Sequence, residues 1–187
     1  MPTIGVTGHR ILMDIELLTT AVDRVLTGIE RHRGDAQLRV LSPLAEGADQ
    51  LVALRALASG ADLIVPLPLP LDTYREDFTT EASLQTFDQL LVQAQQVLPL
   101  PPAATRQEAY AACGAYILDH CDVLIAIWDG KPAQGVGGTA EIVQGARDSG
   151  LPLAWVHAGN RHPDSGAPTT LGPGQGTLTY ERWPHPY

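Results

Sequence analysis

Residues 122–141 read DVLIAIWDGKPAQGVGGTAE, and this stretch decides the fold. Residues 122–128 are almost continuously apolar, which is typical of a strand that is covered on both faces in a parallel sheet. A glycine-rich loop at 135–138 follows. Thr139 and Glu141 then give the start signal of a helix, a capping hydroxyl and an early carboxylate. A buried strand followed by a loop and a helix is the repeating unit of α/β proteins.

The same unit recurs along the whole chain. Further apolar runs predict strands at 3–7, 38–42, 62–67, 96–100 and 152–157. Segments with helical periodicity or helix-forming composition predict helices at 15–29, 48–58, 87–95, 107–120 and 139–148. This alternation predicts a three-layer, doubly wound α/β fold of the Rossmann-like class, with a mainly parallel sheet of about six strands. We expect the first strand near the centre and the strand order 4-3-2-1-5-6.

The composition changes after residue 157. Gly and Pro make up ten of the thirty residues in 158–187. We therefore expect one domain over 1–157 and a largely irregular C-terminal tail over 158–187, with a short edge strand at 176–180.

Charge and composition disfavour several classes of protein. The chain has 12 basic and 21 acidic residues, a net charge of −9, and Lys131 is its single lysine. Such a charge repels phosphate backbones, so we expect no nucleic acid partner. No apolar run is long enough to cross a membrane, and the N-terminus carries no secretory signal. The spacing of Cys113 and Cys121 fits neither a disulfide nor a metal site. We expect a cytoplasmic protein without metal or cofactor.

In an open parallel sheet, ligands bind at the carboxyl ends of the strands, near the point where the strand order reverses. The segments in that position are unusual in this chain. The candidate ligand-binding residues there are Thr7, Gly8, His9 and Arg10 after the first strand, Ser42, Glu46, Gly47 and Asp49 after the second, and Trp128, Asp129, Gly130, Gly135, Gly137, Gly138 and Thr139 after the fifth.

The glycines of 135–138 predict a phosphate site. Without side chains at the start of a helix, backbone N–H groups approach an anion closely and the helix dipole attracts it. The hydroxyl of Thr139 adds a donor. The alternative is a plain connection in which Thr139 only caps the helix. Glu141 is a candidate general acid or base or a ribose ligand, and its alternative role is to pair with the helix dipole.

The other candidates also have two interpretations. Arg10 suits a bidentate contact to phosphate, or a surface ion pair. Glu46 and Asp49 suit sugar hydroxyls, although Asp49 is equally typical of a helix start. Tyr74 and Phe78, which follow the third strand, suit stacking on a base or packing in the core. Trp128 is either a platform for a ring or a structural plug.

Four segments in order, GVTGHR (5–10), SPLAEGAD (42–49), CDVLIAIWDG (121–130) and GVGGTAEIV (135–143), resemble the SLOG superfamily of Rossmann-like nucleotide-binding domains. That group includes the Lonely Guy phosphoribohydrolases, lysine decarboxylase-like proteins and DNA-processing protein A. The resemblance covers about 3–157 and points to a bacterial branch. It implies nucleotide binding and a homodimer, with the helix that carries Cys113 and Tyr116 as a candidate face.

The match to the phosphoribohydrolase motif is incomplete. Gly138, Thr139 and Glu141 match its glycine-threonine-x-glutamate part, but Val136 replaces a family glycine. The family's catalytic arginine aligns with Cys113, and a glycine follows it where a lysine is expected. The resemblance therefore favours a sensor that binds a nucleotide or a nucleotide-derived molecule. The alternatives are a nucleoside-monophosphate phosphoribohydrolase, an N-glycosidase that uses Glu141, and a scaffold with a vestigial pocket.

Overall fold

The computed structural model describes residues 1–33, 36–132 and 138–183. The strands are β1 (Thr3–Gly8), β2 (Arg39–Leu41), β3 (Asp62–Leu67), β4 (Gln96–Pro99), β5 (Val123–Trp128), β6 (Leu153–His157) and β7 (Leu178–Glu181). The α-helices are α1 (Ile15–Arg33), α2 (Ala48–Ala58), α3 (Leu71–Arg75), α4 (Glu81–Gln93), α5 (Arg106–His120) and α6 (Thr139–Ser149), and a 3₁₀ turn spans Gly172–Gly174.

All seven strands form one sheet in the order β4-β3-β2-β1-β5-β6-β7. Central β1 pairs in parallel with β2 and β5, so that Gly5 lies opposite both Leu41 and Leu124. This confirms the predicted fold class and strand order. The sheet has one strand more than the six expected, because β7 pairs antiparallel with β6 at the edge.

Helices cover both faces of the sheet, and strand residues divide between them by alternation. On one face Ile125 and Ile127 of β5 join the core under α1, α2 and α4. On the other face Leu124 and Ala126 join the core under α5 and α6. Because successive side chains of a strand point to opposite faces, a strand buried on both sides is apolar throughout.

Two helix starts differ from the prediction. α4 begins at Glu81 and not at 87, because the hydroxyl of Thr80 caps it and accepts a hydrogen bond from Ser83 N at 3.1 Å. α5 begins at Arg106, one residue early, after a capping box between Thr105 and Glu108. The short helix α3 was not predicted.

The buried side chain of Gln175 connects the C-terminal segment to the loops that follow β1 and β6. Its amide donates to Met13 O at 2.9 Å and accepts from Gly159 N at 2.9 Å and Leu171 N at 3.1 Å. β7 overlaps the short edge strand that was predicted at 176–180. The division into a domain and a tail stays a prediction.

Cys113 and Cys121 are both free. Cys113 lies on α5 and is 3% exposed, with Sγ 3.6 Å from Pro66 O. Its side chain therefore faces the core. The use of α5 as a dimer face stays a prediction. Among the described residues, no helix is both long and apolar enough to span a membrane.

Candidate functional site

Three turns that follow β1, β2 and β5 press against one another at the carboxyl edge of the sheet. A Cβ added at Gly8 would lie 2.4 Å from Ala48 Cβ and 2.6 Å from Ile127 O. Gly47 has a φ of +79°, and a Cβ there would lie 2.4 Å from Arg10 O. Both glycines are therefore required by the packing of the turns themselves, although they were named from the sequence as candidate ligand-binding residues.

His9 joins the turn after β1 to the turn after β5. Its Nε2 accepts a hydrogen bond from Asp129 N at 3.0 Å and lies 3.2 Å from Asp129 Oδ1. Burial lowers the pKa of His9, although the Asp129 carboxylate opposes this shift. A neutral imidazole with a lone pair on Nε2 fits this contact. Asp129 Oδ1 also accepts a hydrogen bond from Lys131 N at 3.1 Å. The predicted site residues His9 and Asp129 therefore lie in direct contact.

Glu46 anchors the start of α4. Its carboxylate accepts hydrogen bonds from Thr79 N at 2.7 Å, Thr80 N at 3.3 Å, the Thr79 hydroxyl and the Ser83 hydroxyl. Burial would raise the pKa of Glu46, but the bonds from Ser83, Thr79 and Thr80 outweigh burial and lower it. The carboxylate oxygens of Glu46, which were predicted to accept hydrogen bonds from a sugar, thus accept them from the protein itself.

Asp49 is a buried carboxylate in the first turn of α2, 6% exposed. Its Oδ2 accepts one long hydrogen bond, from Ala45 N at 3.3 Å. Burial raises the pKa of Asp49 from 3.8 to about 7, although the bond from Ala45 and the charge of Arg10 act in the opposite direction. Ser42 is fully buried and its Oγ accepts from Leu44 N, while Thr7 is 5% exposed. These predicted site residues thus lie beneath the surface.

Arg10 is exposed and points towards the connection between α3 and α4. Its Nη1 donates to Asp77 O at 3.3 Å, and its guanidinium carbon lies 5.7 Å from the centre of the Tyr110 ring. The carboxylate of Asp77 accepts from Arg106 and from the Tyr110 hydroxyl. A narrow crevice here is lined by Arg10, Ala45, Glu46, Tyr74, Asp77 and Phe78.

The aromatic candidates belong to the core. Tyr74 is 1% exposed and makes edge-to-face contacts with Phe78 and Phe87, at centroid distances of 5.6 and 5.7 Å. Trp128 is 5% exposed and packs against Trp155 at 5.2 Å. Trp155 Nε1 also donates to Trp128 O at 2.9 Å. The structure thus gives Tyr74 and Trp128 the packing roles that were the alternatives to stacking on a ligand.

Gly130 follows the same turn. Its φ is +79°, and a Cβ there would lie 2.9 Å from Trp155 Cζ2. The glycine thus lets the turn after β5 cross the Trp155 ring closely.

Within the described residues, no side chain caps the start of α6. Gly138 is the N-cap residue, with φ −84° and ψ 166°, and its carbonyl accepts from Glu141 N at 3.0 Å and Ile142 N at 3.2 Å. The first N–H groups of a helix have no partner within the helix. Because α6 follows β5 and leads into the parallel strand β6, its N-terminus lies at the edge where β5 ends, as the other turns do. Gly135 and Gly137 lie outside the described residues.

Thr139 and Glu141 occupy the first turn of α6. Thr139 is half-buried and Glu141 is exposed. The role predicted for each in binding or catalysis stays a prediction, as it does for the other candidate residues.

Several side chains that shape this edge were not predicted from the sequence. Tyr110 lies on α5 and meets Asp77, 33 residues earlier, so only the folded chain brings them together. Thr79 and Ser83 hold Glu46 in a similar way. One local signal was present, since Thr80 before Glu81 is typical of an N-cap and an acidic first turn.

Comparisons with known proteins identify the fold. No protein-family model matches the chain, and no curated protein matches it. Among solved structures, DNA processing protein A from Streptococcus pneumoniae is similar, with a TM-score of 0.57 and 20% identity over 82% of this chain and 49% of that one. The chain thus spans about half the length of that protein.

Two further structures have a similar fold. DNA processing protein A from Helicobacter pylori, whose single-stranded DNA binding mode is described with its structure, has a TM-score of 0.52 and 16% identity over 81% of this chain and 63% of that one. The structural genomics target TM1055 has a TM-score of 0.50 and 15% identity over 82% and 72%. At these identities the likeness concerns the fold. The chain has the Rossmann-like fold of these three proteins, as its sequence predicted.

Proposed function

We propose that this protein binds a nucleotide or a nucleotide-derived small molecule at the carboxyl edge of the sheet, with a phosphate group at the N-terminus of α6. The observation that carries the proposal is the start of α6, where Gly138 offers no side-chain cap and the helix abuts β1 and β5. An uncapped helix N-terminus beside the centre of a parallel sheet is a favourable place for an anion.

The proposed contacts divide by chemistry. N–H groups at Gly138 and Thr139, with the Thr139 hydroxyl and the preceding Gly135 and Gly137, bind the phosphate. Glu141, exposed on the same turn, accepts hydrogen bonds from the sugar. Glu46 takes no part, because its carboxylate already anchors α4.

Binding without turnover is favoured over catalysis. The position that the resemblance aligns with a catalytic arginine is Cys113, which is 3% exposed and packs in the core. A thiol in that place supplies no positive charge to a departing base. The second candidate, a nucleotide N-glycosidase, is favoured by the place of Glu141 in the first turn of α6.

Single-stranded DNA belongs among the ligands tested. The net charge of −9 led us to expect no nucleic acid partner. The comparisons do not support that exclusion, because the similar protein from Helicobacter pylori binds single-stranded DNA. The proposal also includes a homodimer, for which light scattering at several protein concentrations is the measurement.

The test is a thermal-stability screen with nucleoside monophosphates, cyclic nucleotides, ADP-ribose and a short single-stranded DNA. A ligand that binds only the folded state raises the melting temperature. We expect a small nucleotide to do so, and Gly138→Val to remove the effect while unfolding stays cooperative. The backbone angles of Gly138 suit valine, so the substitution adds bulk without backbone strain. Ala103→Val, on an exposed loop, is the control.

The outcomes separate the candidates. Release of a free base that is lost in Glu141→Ala indicates the N-glycosidase. Stabilisation by DNA alone replaces the small ligand with a nucleic acid. Stabilisation that survives unchanged in Gly138→Val contradicts the proposed phosphate site.

A further inference from the structure

Asp77 accepts hydrogen bonds from side chains in two distant parts of the chain. Its carboxylate accepts from the guanidinium of Arg106 and from the hydroxyl of Tyr110, both on α5. Its backbone carbonyl accepts from Nη1 of Arg10, just after β1, at 3.3 Å. The side chain of Asp77 is 16% exposed. A single residue of the α3–α4 connection therefore meets two guanidinium groups and a phenol.

The two carboxylates near Arg106 differ in how closely they contact it. Asp77 is the carboxylate at its centre, whereas Glu76 only reaches Arg106 Nη2 at 3.4 Å from a side chain that is 70% exposed. Arg10 is further fixed by its place over the ring of Tyr110, 5.7 Å from its centre. The guanidinium groups of Arg10 and Arg106 thus meet at Asp77, and Arg10 also lines the crevice.

The donor set suits a phosphoryl group as well as it suits a carboxylate. Guanidinium groups bind the oxygens of both through paired, charge-assisted hydrogen bonds, and a phenol adds a further donor. Phosphoryl groups carry more charge than a carboxylate, so they compete well for the same donors.

We propose that Arg10, Arg106 and Tyr110 form an anion site that Asp77 occupies from within the chain, and that a phosphoryl group of a ligand displaces the Asp77 side chain. The backbone beside Asp77 stays in place during this exchange, because Glu46 holds Thr79 and Thr80. Only the side chain then has to rotate. The site shares Arg10 with the residues predicted from the sequence, but it requires no contact at α6.

The experiment is calorimetric titration of the full chain with inorganic pyrophosphate. Asp77→Asn removes the competing charge and keeps the shape, so we expect it to bind pyrophosphate about tenfold more tightly than the unmodified chain. Glu76→Gln, which neutralises the neighbouring exposed carboxylate, is the matched control, with a change below about twofold. Adding Arg106→Gln to Asp77→Asn is expected to abolish the gain.

Further arms distinguish the ligand class and the site. Malonate in place of pyrophosphate tests whether carboxylates bind equally well, and equal gains for both would overturn the choice of a phosphoryl group. Gly138→Val, added to Asp77→Asn, is expected to leave the gain intact. If the double variant loses the gain in pyrophosphate affinity, the anion binds at α6 and this inference is overturned. Failure of the nucleotide screen alone does not affect the inference.

The inference is also overturned if Asp77→Asn binds no more tightly, or if its gain survives Arg106→Gln. Should Asp77→Asn fail to fold, Arg106→Gln in the otherwise unmodified chain decides the question. It is expected to weaken pyrophosphate binding about tenfold, and unchanged binding contradicts the site.

Discussion

His9 Nε2 accepts a hydrogen bond from Asp129 N at 3.0 Å, across 120 residues of chain. This bond fastens the turn after the central strand to the turn that leads to α6. Both side chains are buried, so a lost partner is not replaced by water without cost. The relative position of the two turns depends on this pair.

We predict that His9→Ala lowers the free energy of unfolding by about 1–3 kcal/mol, because Asp129 N loses its buried acceptor. Denaturant unfolding measures the change. His162→Ala, at an exposed histidine, is the control and is expected to change stability by less than about 0.5 kcal/mol. Equal effects of the two substitutions would show that the buried contact contributes nothing.

Asp49 gives a prediction about pH. Its pKa is about 7 in the folded protein and 3.8 ordinarily, so the folded state holds the proton more tightly. The resulting loss of stability begins as pH rises above about 4 and is complete above about 7, where the buried group is ionised. Asp49→Asn should therefore be more stable than the unmodified chain at pH 8, by a few kcal/mol at most, and the difference should vanish near pH 4. A difference that does not depend on pH would contradict the assignment.

Alanine substitutions at Gly47 and Gly60 distinguish the cost of steric contact from the cost of backbone strain. Both have positive φ, +79° and +90°, but a Cβ at Gly47 would meet Arg10 O at 2.4 Å, whereas nothing lies within 4 Å at Gly60. Gly60→Ala is expected to cost about 1 kcal/mol and Gly47→Ala at least about 2 kcal/mol more. Thermal unfolding of the two variants measures the difference. Equal losses would mean that the turns do not press on one another.

Glu46→Gln tests the anchor of α4. The neutral amide weakens the bonds from Thr79, Thr80 and Ser83, because hydrogen bonds to an ionised acceptor are the stronger ones. Amide hydrogen exchange over residues 79–83 is expected to become at least about tenfold faster. Glu81→Gln, at an exposed glutamate within the same segment, is the control. Unchanged exchange in Glu46→Gln would leave that carboxylate free for another role.

Most of the fold follows from the sequence. Runs such as 62–67 and 122–128 are apolar throughout because both faces of the sheet are covered, and the order of elements then restricts the topology. The meeting of the turns at Gly8, Gly47 and Asp129 was also predictable, because parallel strands end at one edge.

The detail of the candidate site was less accessible to sequence reasoning. Glu46 is in the turn where it was expected, but its partners lie 33 to 37 residues later, beyond any local pattern. Likewise, Trp128 packs on Trp155 from a neighbouring strand, a contact that depends on strand pairing. Side-chain partners of this kind are set by tertiary packing, which periodicity does not encode.

The central claim is that the backbone N–H groups at the N-terminus of α6 bind a phosphate group. Amide ¹H–¹⁵N spectra of the labelled protein, recorded as each of the four common ribonucleoside monophosphates is added, test this directly. With at least one of them, the Gly138 and Thr139 resonances should shift more than those elsewhere in the chain. Shifts that leave these two amides unchanged, whichever nucleotide is added, would contradict the account.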